Sequence, residues 1–214
     1  MRTLACLAAL TLAAPATAHP HIFVGAEVTV VFDGDGPPAI RLGWVYDDFF
    51  SLLITSDLGI DLDGDLELTE AEKTALNDAI TEWPPGFEGD LEVRQGETLL
   101  PLAPKRDHSM TYVDGIVRET HTRDLAALTD PAAPLTIRVF DPYYYVAYDV
   151  VDPVRIEGRD DCVATITEPD LAAAEALAVS LLGRPAAEVG PDEEFPSIGG
   201  EFAQTITVTC ATPL

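Results

Sequence analysis

Four histidines are the nitrogen ligands of this chain: His19, His21, His108 and His121. His19 and His21 flank Pro20 at the start of a run with strand alternation, so both rings project to the same side. Cleavage after Ala18 would give His19 a free α-amine. One amine and two imidazoles make a compact chelate suited to zinc, copper, nickel or cobalt, and affinity alone does not choose among them. Pro20 has no amide hydrogen, which blocks the square-planar mode that deprotonates successive backbone amides. The competing reading is two exposed terminal histidines without an ion. His108 and His121 are further candidate ligands on middle strands. A strand histidine is more often a satisfied surface or core residue, and His121, beside Arg118, Glu119 and Arg123, reads as part of a charged face. Asp47 and Asp141 each end a strand and are the carboxylates that could join such a site.

A second constellation uses oxygen. Asp61, Asp63, Asp65, Thr69 and Glu72 occupy positions 1, 3, 5, 9 and 12 of a twelve-residue loop, and Glu67 at position 7 would offer its carbonyl. That is the spacing with which an EF-hand wraps Ca²⁺. Position 6 is Leu66 instead of glycine, and the sharp turn there requires a positive φ that a branched residue resists. The competing reading is a solvated acidic turn.

Catalytic signatures are missing from the sequence: it has no G-x-S-x-G elbow, no phosphate-cradling glycine loop and no H-E-x-x-H. The expectation is therefore a binding protein, not an enzyme. One catalytic alternative stands, a copper-dependent oxidase or oxygenase built on the terminal histidine.

These residues are carried by recognisable elements. Met1-Arg2, the apolar run Leu4 to Ala14 and Ala16-Thr17-Ala18 read as a signal peptide over 1–18, too short to span a membrane. The remaining 19–214 reads as one exported domain. Period-two alternation from Ile22 to Phe32, a Gly/Pro turn and a strand from Ala39 to Tyr46 predict a hairpin. Asp47 or Asp48 caps a helix, the acidic loop follows, and a second helix runs from Thr69 to about Glu82, so the EF-hand-like insertion covers 47–82. Short strands are expected at 90–95, 98–102, 108–113, 116–123, 135–141 and 143–150, with Tyr143, Tyr144 and Tyr145 packing across the sheet. After a strand at 161–167, Asp170 caps a helix that stops at Gly183. Residues 183–199 read as a loop without a core, and a last strand covers 205–210. The fold class is α+β, with an antiparallel, sandwich-like core, an inserted helix-loop-helix and a C-terminal helix.

Composition restricts function further. There are 37 acidic against 12 basic residues, a formal charge of −25, so nucleic acid is nearly excluded as a partner. An acidic surface concentrates cations. Cys6 leaves with the signal, and Cys162 and Cys210, an even pair in an exported chain, predict a disulfide that closes the section from about 160 to 214.

Several pieces together are similar to a family of bacterial periplasmic proteins of unassigned function, described as components of an ABC-type transport system. They are His19-Pro20-His21-Ile22-Phe23-Val24, Trp44-Val45-Tyr46-Asp47 leading to Phe50, Asp61-Leu62-Asp63-Gly64-Asp65 with Leu68-Thr69, Asp141-Pro142-Tyr143-Tyr144, Asp152-Pro153-Val154 and Val208-Thr209-Cys210. The resemblance implies a partner, an inner-membrane permease of the nickel/cobalt type, and a role in transition-metal handling, zinc in particular. The two-lobed α/β pattern of solute receptors is not seen in this sequence. The expected function is thus a periplasmic binding or accessory protein for zinc, nickel or cobalt. A calcium-stabilised structural module is the third alternative.

Overall fold

Alternation of apolar residues builds the first hairpin. In β1 (Ile22–Val31) and β2 (Ala39–Tyr46) the even-numbered residues Val24, Ala26, Val28, Val30, Ile40, Leu42 and Trp44 all point inward. The antiparallel register runs from Val24↔Tyr46 to Val31↔Ala39. The computed structural model describes residues 20–34, 36–79, 83–190 and 193–213; the expected signal peptide and His19 lie outside them.

Two sheets face one another. The first joins β5 (Arg106–Val113), β6 (Ile116–Asp124), β2, β1 and β8 (Val146–Val150) in that order, with β9 (Arg155–Glu157) also pairing β1. The second runs β10 (Cys162–Thr167), β11 (Thr205–Cys210), β7 (Leu135–Val139), β3 (Leu91–Gln95), β4 (Thr98–Leu99). The core between them is Ala26, Val28, Val30, Ile40 and Leu42 against Val93, Leu135, Ile137, Ile206 and Val208. This is the expected β-rich α+β architecture, with one addition. β8 and β9 lie parallel to β1, pairings that connect distant segments and carry no local turn signature.

The second sheet covers only part of the inner face of the first. The rest is roofed by the inserted helices α1 (Asp48–Leu58) and α2 (Glu70–Asp78). Ile60, Leu68 and Leu76 from this insertion pack on Val24, Trp44, Tyr46, Met110 and Val117. Asp47 caps α1 by accepting the Phe50 amide at 2.7 Å. Thr69 and Glu72 cap α2 reciprocally, a capping box. Asn77 locks α2 to β5, its side chain bonding both backbone groups of Met110 at 2.8 and 2.9 Å. α2 is observed to Asp78; residues 80–82 of the expected helix lie outside the described residues.

Three local expectations need correction. Residues 183–199 do have a core: Ala186, Val189 and Phe195 are buried with Ala178 of α3 (Leu171–Leu182) in a small separate cluster. The three tyrosines do not pack across a sheet. Tyr143 and Tyr145 are exposed on a turn, while Tyr144, at φ 54°, stacks on Phe202 with ring centroids 4.2 Å apart. His121 is not on a charged outer face but is fully buried. Cys162 and Cys210 sit opposite each other in the β10–β11 register and are joined as a disulfide.

Candidate metal centre

β6 is the strand that gives the molecule a polar interior. Val117, Glu119, His121 and Arg123 share its inner face, and all four are buried. Register places Glu119 beside Trp44 and His121 beside Leu42 of β2. On the other side, β5 pairs Met110 with Glu119 and Ser109 with Thr120, then slips to Arg106↔Thr122. Asp107 and His108 therefore both stand opposite His121, a bulge in which Asp107 takes φ 53°. Bulges re-aim side chains. Here the slip delivers the His108 ring to the buried carboxylate.

The result is an imidazole–carboxylate–imidazole cluster. His108 Nε2 lies 3.2 Å and His121 Nδ1 3.7 Å from the same oxygen, Glu119 Oε1. Neither approach has hydrogen-bond alignment, and His108 Nε2, Glu119 Oε1 and both His121 nitrogens are buried without a hydrogen-bond partner. Orphaned polar atoms of this kind cost about 1–3 kcal/mol each, so four in one place call for a ligand. The second Glu119 oxygen accepts the Tyr46 hydroxyl at 3.1 Å.

Aromatic rings wall the cluster. Trp44 and Trp83 both meet the His121 ring edge-on, with centroids 4.8 Å away in each case. Lys105 lies over Trp83 at 4.6 Å. Burial first, then the charges of Lys105 and Arg123, push His121 down to about 3. Burial and Lys105 lower His108 as well. Burial raises Glu119 against the opposing pull of Tyr46 and Lys105. Both rings are thus held neutral at pH 7, the form that binds a metal ion. Arg123 is occupied elsewhere, donating to the Ala103 and Glu88 carbonyls and to the Glu88 carboxylate.

The remaining candidates group at the other end of the sheet. His121 pairs with Leu42, and Leu42 with Val28, seven residues beyond His21. At about 3.3 Å per residue that is roughly 23 Å along the strand, too far to share one ion. His21 packs its ring on Tyr145, centroids 4.5 Å apart. Asp47 accepts the amides of Phe23 and Phe50, and Asp141 accepts those of Tyr143, Tyr145 and Val146. Both carboxylates act as backbone caps at the two flanks of the first residues of β1.

In the acidic loop, the carboxylates of Asp61, Asp63 and Asp65 have oxygens within 4.8 Å of one another. Leu66 adopts φ 64°, the turn that the absence of glycine put in question. Its amide donates to Asp61, whose other oxygen takes the Tyr112 hydroxyl at 2.7 Å. Glu72 reaches back to the Asp61 amide at 3.0 Å.

Glu119, Trp44, Trp83 and Lys105 were not legible as site residues in the sequence. Both faces of β6 carry charged or hydroxyl groups, so alternation alone does not say which face is inside. The bulge at Asp107 is equally silent, since any polar residue can stand there.

Fold and site together define a two-sheet α+β domain that encloses a nitrogen- and oxygen-rich cluster under a helix-loop-helix roof. The chain belongs to the family described as "Protein of unknown function (DUF1007)", whose profile matches residues 4–210. No curated protein and no solved structure matches it. Among the described residues no helix is long and apolar enough to cross a membrane.

Proposed function

We propose that this protein is a periplasmic binding or accessory protein for a divalent transition-metal ion, zinc, nickel or cobalt, working with an inner-membrane metal permease. The observation that carries the reading is the convergence of His108 and His121 on one Glu119 oxygen, with that oxygen, His108 Nε2 and both His121 nitrogens buried and without hydrogen bonds. Two atoms on a tetrahedral zinc at about 2.0–2.1 Å lie roughly 3.3 Å apart, close to the His108–Glu119 spacing. Two imidazoles and a carboxylate leave a position open for an exchangeable ligand, as a carrier needs. The strongly acidic surface raises the local concentration of cations.

The partner reading is supported by α1, which packs Phe50, Ile54 and Leu58 on the core but leaves Phe49, Leu52 and Leu53 exposed. Phe49 is 66 % exposed and Leu52 62 %, and Phe23, whose backbone bonds the α1 cap Asp47, is 56 % exposed. An apolar patch of this kind suits a protein or membrane-embedded partner.

Calorimetric titration of the mature protein with Zn²⁺ tests the ion. His108→Ala and His121→Ala should each weaken binding more than about tenfold. Wild-type affinity in both variants would refute the site. If a residue added before His19, or His21→Ala, removes binding instead, the ion sits at the processed amino terminus.

A second ion is favoured at the acidic loop by the mutual approach of its three aspartates and by the φ of Leu66. We propose Ca²⁺ held by Asp61, Asp63, Asp65, the Glu67 carbonyl, Thr69 and Glu72. Its role would be to fasten the roof over the cluster, because Tyr112 and Asn77 tie the same loop and helix to β5.

A further inference from the structure

A pocket of about 670 Å³ is lined by Trp44 and Tyr46 but by neither His108 nor His121, and it has room enough for a drug-sized molecule. Its walls are aromatic, including Trp44, Phe50, Phe87, Phe140 and Tyr148, and among the described residues no Lys, Arg or His lines it. Four carboxylates do: Glu88, Asp90, Glu92 and Asp141. Three are already compensated. Glu88 pairs with Arg123 at 2.6 Å, Glu92 with Arg94 at 2.9 Å, and Asp141 accepts three backbone amides. Asp90 is the exception. Among the described residues its carboxylate accepts from the Tyr148 hydroxyl alone, at 2.7 Å, and the charge that acts on it is a second carboxylate, Asp141.

We propose that this pocket binds an organic cation, an ammonium group carried on an apolar body, with Asp90 as its counter-ion and the aromatic walls around it. A carboxylate in an apolar cleft without a cation leaves a charge to be matched, and aromatic faces attract cations while accepting the apolar remainder. An anionic ligand would meet four carboxylates and no base. A neutral one would leave Asp90 uncompensated. The backbone fits a built site: Asp90 holds φ 50°, directly after Gly89 at φ 75°, a turn that projects its carboxylate to Tyr148. In support, burial pushes the Asp90 carboxyl up to about 7, so its ionised form is costly in the empty pocket and a bound cation would stabilise it. Tyr46 is the shared wall, its ring lining the pocket while its hydroxyl bonds Glu119. The inference does not depend on the metal reading.

Three matched probes test it: 4-phenylbutylamine, 4-phenylbutan-1-ol and 4-phenylbutanoate, titrated at pH 8 into chelator-treated mature protein and followed by calorimetry and by the fluorescence of Trp44. The amine should bind at least about tenfold tighter than the alcohol, and the carboxylate more weakly than either. Asp90→Asn should bring the amine to the level of the alcohol and leave alcohol binding unchanged, which also shows that the variant is folded. His121→Ala should leave the amine preference intact, separating this pocket from the metal centre. Equal binding of amine and alcohol in the wild type, a preference that survives Asp90→Asn, or no binding of any probe would overturn the proposal.

Discussion

Trp83 meets His121 edge-on, ring centroids 4.8 Å apart at 89°, and stacks on Trp44 of β2 beside it. The indole is held there by a residue that makes no polar contact with the site. A Cβ on Gly89 would lie 2.4 Å from the Trp83 ring, and Gly89 also takes φ 75°. One turn therefore serves two sites, since it seats Trp83 on His121 and aims Asp90 into the pocket.

Gly89→Ala should accordingly displace Trp83 and strain the turn, costing about 1–3 kcal/mol. The melting temperature should fall. With its wall opened, the His121 imidazole should titrate closer to an ordinary histidine in an NMR pH series. A variant with unchanged stability and an unchanged imidazole would show that Trp83 does not depend on Gly89.

Acid should act on two buried groups in opposite directions. His121 lies at about 3 when folded, against 6.5 ordinarily, so the unfolded chain binds more protons between those values and stability is lost as pH falls below about 6.5. Asp90 lies at about 7 against 3.8, so the folded chain holds the extra proton and stability is lost as pH rises from 3.8 towards 7. Each contributes at most about 1.4 kcal/mol per pH unit. Asp90→Asn should therefore be more stable than the wild type at pH 8, and the difference should vanish near pH 4. Urea unfolding across that range measures it.

Leu66 supplies a positive φ at a cost of about 1–2 kcal/mol for a residue with a Cβ. Leu66→Gly should relieve part of that strain and strengthen Ca²⁺ binding, read as a larger rise in melting temperature with millimolar Ca²⁺. Asp61→Ala should abolish the Ca²⁺ response. A wild type whose melting temperature ignores Ca²⁺ would reduce the loop to a capped turn.

The Cys162–Cys210 bridge closes a separation of 48 residues that contains α3 and its small cluster. In the chain-entropy model its loss costs roughly 4 kcal/mol. The folded, unreduced protein should resist alkylation at Cys162 and Cys210 until reduced, and reduction should lower the urea midpoint with little change of slope.

The family resemblance and the local rules of the chain were readable from residues close together in sequence. Helix caps at Asp47, Thr69 and Asp170 depend on side chains within three residues of the amides they bind, so composition reveals them. The β1–β2 hairpin follows from alternation on both sides of a glycine-rich turn. The disulfide could be expected from two cysteines in a chain whose opening residues read as a signal peptide. The parallel β8 and β9 pairings were not legible, because nothing local to residues 146–157 specifies a neighbour more than a hundred residues earlier.

By itself the sequence determined most of the elements, though not β9, together with the antiparallel core, the acidic loop with its ligand spacing and the list of four histidines. Only the tertiary structure decided how those histidines group. Strand register and one bulge bring His108 to His121 across Glu119, while the length of β1 separates both from His21. The physical reason is burial. Whether a Glu-x-His strand face is a solvated surface or a polar interior depends on what packs over it, and here that cover is Trp83 together with two helices that lie far from β6 in the chain.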